Sequence, residues 1–351
     1  MRVGRSLMRY FTMRLRKNKI VLIYAAAVML LIVSTALGIL LGASHLSPFD
    51  IWDAITGGKD SAAARIVRYV RLPRAMASLL CGAALAVSGA VIQGVLANKL
   101  ASPSIIGVNS GAFLAVTLCS ALGVVGGWRL SLFAFVGAFL AVMLVSLGAR
   151  RWGASRGTVI LMGVALNALL GAISDTVVAF APDVSIMSND FRIGNFSSVT
   201  YARLLPAAAV ILVSVAAVMT LSCELDVLSL GEESAKGLGL NTGVMRVVFL
   251  LLAALLAGAA VSLAGLLSFV GLIVPHAVRR IGGIGGAACL ESKHLLPLCA
   301  LFGAGFVTLC DTLARTVLAP YELPVGIIMA FLGAPFFIFI LIKGKGGHSR
   351  D

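Results

Sequence analysis

Few residues in this sequence have the type and spacing that catalysis requires. The stretch ITGGKDS at 55–61 is the nearest approach to a phosphate-binding loop, but it lacks the first glycine of the GxxxxGK[ST] pattern and has Asp60 after its lysine. The pattern HExxH does not occur, and we expect a protein that is not an enzyme. The four histidines stand far apart in the chain: His45, His276, His294 and His348.

The six cysteines form no CxxC pair and lie mostly in apolar stretches. They are Cys81, Cys119, Cys223, Cys289, Cys299 and Cys310. Closely spaced cysteine pairs are typical of zinc sites, and regularly spaced cysteines of disulfide-rich secreted domains. We interpret these cysteines as small buried apolar side chains, and we predict neither a metal site nor a disulfide framework.

Two carboxylates, Asp175 and Asp311, lie within apolar stretches. An ionisable residue in a membrane span is costly and by default suggests a function such as ion coupling. Asp311 stands four residues before Arg315, so the two can form an ion pair on one helix face. The sequence has no series of Asp, Glu and His of the kind that a proton relay uses. If the protein moves a solute against a gradient, we therefore expect the energy to come from a partner protein, with an ion-coupled transporter as the alternative.

The elements that must position these residues are apolar helices. Of the 351 residues, 60% are hydrophobic and 12% are charged, and the mean hydropathy is +1.05. Soluble domains have about 25% charged residues, so this composition indicates a protein with many membrane spans. A net charge of +14 would suggest a nucleic-acid partner for a soluble protein. Here the basic residues stand between apolar stretches, which indicates membrane topology and no nucleic-acid partner.

Ten apolar stretches are long enough to be the membrane-spanning helices of an all-α protein. They lie at about 20–43, 75–97, 105–125, 131–149, 157–181, 203–222, 246–264, 266–283, 295–318 and 323–342. The first is longer than the about 7–15 apolar residues of a signal peptide, so we expect it to remain in the protein. No polar region is large enough for a soluble domain, and we predict a single transmembrane domain over 1–351.

The distribution of basic residues predicts the side of the membrane on which each loop lies. Ten spans put both ends of the chain on one side, and the loops and ends of that side hold 19 of the 28 Lys and Arg. Because cytoplasmic loops are enriched in Lys and Arg, we expect both termini inside, as a basic tail at 1–19 and a second tail at 343–351. The polar segment at 223–245 is then cytoplasmic.

Small residues recur at helical spacing on the second span, where Gly82, Ala86, Ala90 and Gly94 form a stripe. Such stripes let helix backbones approach closely in lipid, where no hydrophobic force joins helices. We therefore expect the second span at the centre of the bundle.

The cytoplasmic segment contains ELDVLSLGEESAKGLGLNTG at 224–243, with four acidic residues. Gly231, Gly237 and Gly239 divide it into short helical pieces that end in a glycine stop. Two interpretations stay open on composition alone. The segment is either a compact unit that docks on a cytoplasmic partner and carries movement to the spans, or an ordinary solvated loop.

Four blocks of the sequence, taken together, form a specific pattern. They are RLPRAMASLLCGAALAVSGAVIQGVLANKLASPSIIGVNSGA (71–112), LSLGEESAKGLGL (228–240), LLSFVGLIVPHAVRRIGG (266–283) and ELPVGIIMAFLGAPFFIFIL (322–341). In order and spacing these blocks resemble the FecCD-type permeases, the membrane subunits of binding-protein-dependent ABC importers for iron–siderophore complexes, haem and cobalamin. The resemblance extends from near residue 50 to the C terminus and implies ten spans in each subunit.

The resemblance also implies partners and a location. The partners are a second permease subunit, identical or paralogous, two ABC ATPase subunits and an external substrate-binding protein. ATP and Mg²⁺ would bind the ATPases, so we expect no cofactor in this chain. The implied substrate is a metal chelate, with ferric siderophore first and cobalamin or haem as alternatives. The implied location is the bacterial cell (inner) membrane.

Three sets of site residues follow from the resemblance. The loop between the sixth and seventh spans docks on the ATPase. Its candidate coupling residues are Leu228, Ser229, Leu230, Gly231, Glu232, Glu233, Ala235, Gly237, Leu238 and Gly239.

The translocation path follows the interface between the two permeases. Its inner gate is the turn after the second span, with Asn98, Leu100 and Pro103, although Asn98 is equally well a cap that ends the helix.

At the outer face, the resemblance implies that Arg71, Arg74 and Arg315 dock acidic residues of the binding protein. Arginines on the less favoured side of the membrane also have a simpler explanation, which is snorkelling to lipid phosphates or local pairing with Asp311 or Glu322.

The external segment NDFRIGNFSSVT at 189–200 departs from the family pattern, with Arg192 and Asn195 in altered places. It is expected near the outer mouth of the path, where the substrate enters.

Overall fold

The computed structural model describes residues 2–42, 46–56, 61–124, 126–152, 155–282 and 290–345. Within these ranges the chain consists of helices joined by short loops, as the all-α prediction requires. The predicted tail from residue 346 onward lies outside the described residues, and so do His45, His348 and Cys289.

The helices are numbered here in chain order. The first group is α1 (Arg2–Leu40), α2 (Pro48–Thr56), α3 (Ala62–Ile66), α4 (Leu72–Val95), α5 (Val108–Ala121), α6 (Gly127–Arg151), α7 (Arg156–Phe180) and α8 (Pro182–Ile193). The second group is α9 (Tyr201–Thr220), α10 (Ser222–Ser229), α11 (Glu232–Gly237), α12 (Thr242–Ala264), α13 (Val270–Gly282), α14 (Ser292–Thr316) and α15 (Val325–Lys345).

Each of the ten predicted spans contains a helix, but the helices are not equally long. Seven stretches of the described residues are long and apolar enough to cross a membrane, and they include α1, α4, α6, α7, α9, α12 and α14. Helices α5 and α13 have only 14 and 13 residues. A 3₁₀ turn at Pro103–Ile106 precedes α5, and non-helical backbone at 265–269 precedes α13. The predicted spans at 105–125 and 266–283 are therefore only partly α-helical.

The first and second spans extend beyond the predicted bounds. Helix α1 begins at Arg2, so the basic segment predicted as a tail at 1–19 continues the helix of the first span. Helix α3 passes through a π-helical turn at Val67–Arg71 directly into α4, which gives a continuous helical stretch over 62–95.

The second span is the centre of the bundle, as the stripe of small residues predicts. Helix α4 is mostly buried, and α12, α13 and α14 pack against it. A Cβ atom added to Gly82 would lie 2.1 Å from the carbonyl oxygen of Gly303 on α14. One added to Gly89 would lie 1.9 Å from the carbonyl oxygen of Gly271 on α13. Both neighbours therefore approach α4 backbone to backbone, which only glycine allows.

The polar contacts gather at the two ends of the bundle. At the outer end, Arg315 of α14 donates a hydrogen bond to the carbonyl oxygen of Gly38 near the end of α1 (3.0 Å). At the inner end, Arg156 at the start of α7 donates to the carbonyl oxygen of Leu228 on α10 (2.7 Å). The cytoplasmic segment and the outer arginines thus lie at opposite ends, and the spans connect them.

Candidate functional site

The cytoplasmic segment folds as two short helices, α10 and α11, as its glycines predict. Gly231 joins them with φ = +117°, and Gly239 follows α11 with φ = +83°. Both values lie in the left-handed region that favours glycine. The N–H of Gly239 donates to the carbonyl oxygen of Lys236, and the N–H of Leu240 to that of Ala235, so both bonds close the end of α11.

The candidate coupling residues divide into a buried set and an exposed set. Leu228 and Ala235 are fully buried and hold the segment against the bundle. Leu230 and Leu238 are 65% and 66% exposed on the cytoplasmic side. The other exposed members of the set are Ser229, Glu233, Gly237 and Gly239. The segment therefore presents two leucines on a polar surface, which is an arrangement suited to a protein partner.

Asp226 attaches α10 to the start of α14. Its carboxylate accepts hydrogen bonds from the N–H of Ser292 (3.0 and 3.1 Å) and from the Ser292 hydroxyl (2.6 Å). A carboxylate at a helix N-terminus satisfies a free N–H group and interacts favourably with the helix dipole. Residue-type patterns gave no sign of this role, because Asp226 and Ser292 are far apart in sequence.

Glu232 attaches α11 to the start of α12. It accepts from Arg246 (2.9 Å) and from Lys236 (3.1 Å). Hydrogen bonds from Lys236 and Arg246 lower the pKa of Glu232 below its ordinary value. Together with the bond from Arg156 to Leu228, these contacts tie the segment to α7, α12 and α14.

The turn after α4 contains the candidate gate residues. The side chain of Asn98 accepts a hydrogen bond from the N–H of Leu100 (2.9 Å) and so stabilises the turn, while its backbone N–H donates to the carbonyl oxygen of Gln93 near the end of α4. Leu100 is exposed, whereas Pro103 is buried beside Gly271. Among the three, Leu100 is the most exposed residue, and its gating role stays a prediction.

The three arginines of the docking prediction are buried within the single chain. Arg71, Arg74 and Arg315 are only 3%, 4% and 3% exposed. Arg74 donates to both carboxylate oxygens of Asp311 (3.0–3.1 Å) and to Glu322 (2.7 Å). Local pairing, the simpler alternative, is therefore the arrangement that the structure adopts for Arg74.

The other two buried arginines bind the end of α1. Arg71 donates to the carbonyl oxygens of Ile39 and Leu40 (2.8 and 2.9 Å), and Arg315 to that of Gly38 (3.0 Å). The last carbonyls of a helix have no partner within the helix, and they carry the negative end of the helix dipole. These guanidinium groups hold α1, α4 and α14 together, and docking of a binding protein at this end stays a prediction.

The remaining candidates lie in different surroundings. Arg315 also pairs with Asp311 within α14 (3.2 Å), as their spacing predicts. Asp175 is exposed on α7. Of the described cysteines, Cys223 is exposed, so its predicted burial is wrong, and the others are buried: Cys81, Cys119, Cys299 and Cys310.

The external segment at 189–200 brings a charge to the middle of α5. Arg192 of α8 is exposed and lies over the ring of Phe113, with 5.7 Å from its guanidinium carbon to the ring centroid. Asn195 is fixed by the bond from its N–H to the carbonyl oxygen of Ala264 (2.7 Å). The two residues that depart from the family pattern thus have separate roles, one at the surface and one in the loop.

A bundle of apolar helices with a folded polar segment attached to three spans on its cytoplasmic side defines a multi-pass membrane protein. The model of the FecCD transport family matches residues 30–343, and the chain belongs to this family. It is accordingly a multi-pass permease subunit of an ABC importer in the bacterial inner membrane.

Relatives and a solved structure agree with this membership. The chain is 36% identical to the hemin transport system permease protein HmuU of Yersinia pestis, over 92% of this chain and 96% of the relative. It is 32% identical to the Fe(3+)-citrate import system permease protein YfmD of Bacillus subtilis, over 96% and 99%. A solved structure, described as an inward-facing conformation of a candidate metal-chelate type ABC transporter, matches with a TM-score of 0.80 and 28% identity over 92% of this chain and 99% of its own.

Proposed function

We propose that this chain is one of two permease subunits that carry a metal chelate inward, with ferric siderophore as the first candidate. Haem and cobalamin are the alternatives within the same class of substrate. A hemin permease and a ferric-citrate permease among its relatives support an iron chelate, and a vitamin B12 import permease, 37% identical over 80% of this chain, supports the cobalamin alternative. The chelate would move along the interface of the two permeases and past the turn that contains Leu100.

The observation that carries the proposal is the attachment of the cytoplasmic segment. Three spans hold it through Asp226, Glu232 and Leu228, while Leu230 and Leu238 face the cytoplasm. A solvated loop needs no such attachment, whereas a segment that transmits movement does. We assign its exposed face to a separate ABC ATPase subunit, which would bind ATP and Mg²⁺. An external binding protein would deliver the chelate to the opposite end.

The ATPase contact is tested by placing charges on the exposed leucines. Leu230→Glu together with Leu238→Glu leaves every described polar contact of the segment intact. We expect normal membrane insertion and loss of ATPase co-purification. Leu122→Glu, the same change at an exposed site near the outer end, is the control. Co-purification of the ATPase at the control yield would contradict the assignment.

The substrate is tested by ligand capture. The cognate binding protein is purified from cells grown without iron, and its ligand is identified by mass spectrometry. Vesicles that contain the permease, the ATPase and the binding protein are then assayed for uptake of that ligand. A ferric chelate taken up only with ATP is the expected result. Uptake driven by an ion gradient without the ATPase would instead establish the ion-coupled alternative.

A further inference from the structure

A cavity of about 350 Å³ opens between α6, α9 and α12 near the outer end of the bundle. Its lining is mostly apolar and consists of Trp128, Ser131, Leu132, Phe135, Ala202, Arg203, Pro206, Ala207, Val210, Ala259 and Ser262. The volume lies within the range of about 300–1,000 Å³ that is typical of small-molecule sites. Large apolar side chains are exposed around it on α6 and α9, among them Phe133, Leu205 and Leu212. The cavity therefore faces the lipid.

Arg203 is the only charged residue in this lining, and its hydrogen bonds all go to neutral groups. Nε donates to Ser131 Oγ (2.6 Å), Nη1 to the carbonyl oxygen and Oγ of Ser198 (both 3.0 Å), and Nη2 to the carbonyl oxygens of Ser262 and Leu263 (3.1 and 3.3 Å). None of the ion pairs in the described part of the chain includes Arg203. The guanidinium is thus satisfied as a donor, but its charge is not compensated beside an apolar cavity.

Two further groups at the rim can bind an anion. Ser131 accepts from Arg203, and the described residues offer no acceptor for its own hydroxyl proton, which can be donated to a ligand. Arg129 is exposed, and its guanidinium carbon lies 6.0 Å from the ring centroid of Trp128. Arginine and tryptophan at the end of a span are typical of the lipid headgroup region.

The polar residues of the lining lie nearest the outer end of the cavity, and the apolar residues lie deeper. The headgroup and acyl chains of a phospholipid in the outer leaflet have the same arrangement. The polar residues lie in the first turns of α6 and α9 and the last turn of α12. Phe135 and Val210 lie deeper, and the rise from Arg203 to Val210 along α9 is about 10 Å. Pro206 between them has no N–H to donate to the carbonyl oxygen of Ala202, which weakens the helix wall where the cavity opens.

We propose that this cavity is a binding site for one anionic phospholipid of the outer leaflet. One acyl chain occupies the apolar part, and the phosphate lies beside Arg129, Ser131 and the uncompensated charge of Arg203. The lipid contacts α6, α9 and α12 at the end of the bundle opposite to the cytoplasmic segment. This site is separate from the chelate path and does not depend on which chelate is carried.

The test is retention of lipid by the purified permease. Val210→Phe and Ala207→Leu each fill part of the cavity, whereas Val213→Phe changes a residue of α9 that is 70% exposed and outside the lining. Each protein is reconstituted with equal amounts of phosphatidylglycerol and phosphatidylcholine, re-extracted in detergent and examined by native mass spectrometry. A lipid that can bury about two fewer methylene groups of its acyl chain in the cavity binds the permease with an affinity lowered by about tenfold or more. We expect wild type and Val213→Phe to retain one phosphatidylglycerol, and the two cavity-filling variants to lose it.

The headgroup contact is tested by Arg129→Gln, which changes an exposed side chain without altering the cavity. We expect the ratio of bound phosphatidylglycerol to phosphatidylcholine to fall about fivefold, the effect of one basic residue near anionic lipid. Equal retention by the cavity-filling variants and Val213→Phe would mean that only annular lipid is present and would overturn the proposal. A wild-type protein that retains both headgroups equally would overturn it as well.

Discussion

At the residue scale, the buried charges at the outer end show what sequence spacing can and cannot predict. The pair Asp311–Arg315 follows from a separation of four residues on one helix. The pair Arg74–Asp311 joins residues 237 positions apart, and only the packing of α4 against α14 brings them together. Burial makes this local pairing necessary, because an uncompensated Asp311 in this environment would be very costly.

Removal of Arg74 tests this cluster. Arg74→Met keeps the approximate length of the side chain but removes three hydrogen bonds to Asp311 and one to Glu322, so we expect a loss of about 3–5 kcal/mol in the free energy of unfolding. The measurement is denaturant unfolding in detergent. Arg65→Met, at an exposed arginine of α3, is the matched control and should change stability by less than about 0.5 kcal/mol. Equal effects of the two substitutions would show that Arg74 is not a structural residue.

Asp226 gives a second residue-scale prediction. Asp226→Ala removes the acceptor from the first turn of α14, and we expect a loss of about 1 kcal/mol in unfolding free energy together with weaker coupling of ATP hydrolysis to uptake. Asp190→Ala removes the same charge from an exposed position of α8, outside the cytoplasmic segment, and should do neither. Stability and the uptake per ATP hydrolysed are measured for both variants. A coupling loss as large in Asp190→Ala would assign the effect to net charge.

At the element scale, the number and order of the spans could be predicted, but two of their shapes could not. Hydropathy does not distinguish a helix from irregular backbone that other helices bury. Gly107 (φ = +101°) before α5 and Gly265 (φ = +73°) before α13 are the local signals of the breaks. The stripe of small residues on α4 was more informative, because the backbones of helices in lipid approach closely mainly where small residues line the contact.

The backbone contacts of α4 make a prediction for glycine substitutions. Gly82→Ala and Gly89→Ala place a methyl group within about 2 Å of a carbonyl oxygen of α14 or α13, so we expect losses of about 1–3 kcal/mol or more in unfolding free energy. Gly171→Ala on α7 is the control, because its added Cβ meets nothing within 4 Å and alanine favours the helix. Thermal unfolding in detergent compares the three variants. Unchanged stability in Gly82→Ala would show that α4 and α14 are not in direct backbone contact.

At the scale of the whole molecule, a chain of contacts joins the cytoplasmic segment to the candidate gate. Asp226 binds the start of α14, α14 contacts α4 through Gly303 and Gly82, and α4 ends at the turn of Leu100. Packed backbones do not slide freely past one another, so these elements are expected to move together. The blocks that resemble the family mark both ends of this connection, but the contact between residues 226 and 292 is visible only in the folded chain.

The gate itself is tested by a disulfide between two subunits. Leu100 is exposed at the tip of the turn, whereas the side chain of Asn98 is engaged within it, so Leu100→Cys is the better position for a link. Cys223 and Cys289 are first replaced by serine. If two subunits meet at this turn, their Cα atoms lie within the about 4.4–6.8 Å that a disulfide requires.

We expect an oxidant to link two Leu100→Cys subunits and to stop chelate uptake in vesicles, and a reductant to restore it. Leu212→Cys, at an exposed position of α9 beside the lipid-facing cavity, should neither link nor lose uptake. A linked protein that still transports would show that the turn does not move during transport. Without any link, the two turns would be too far apart to close a path, and the gate would have to lie elsewhere along the interface.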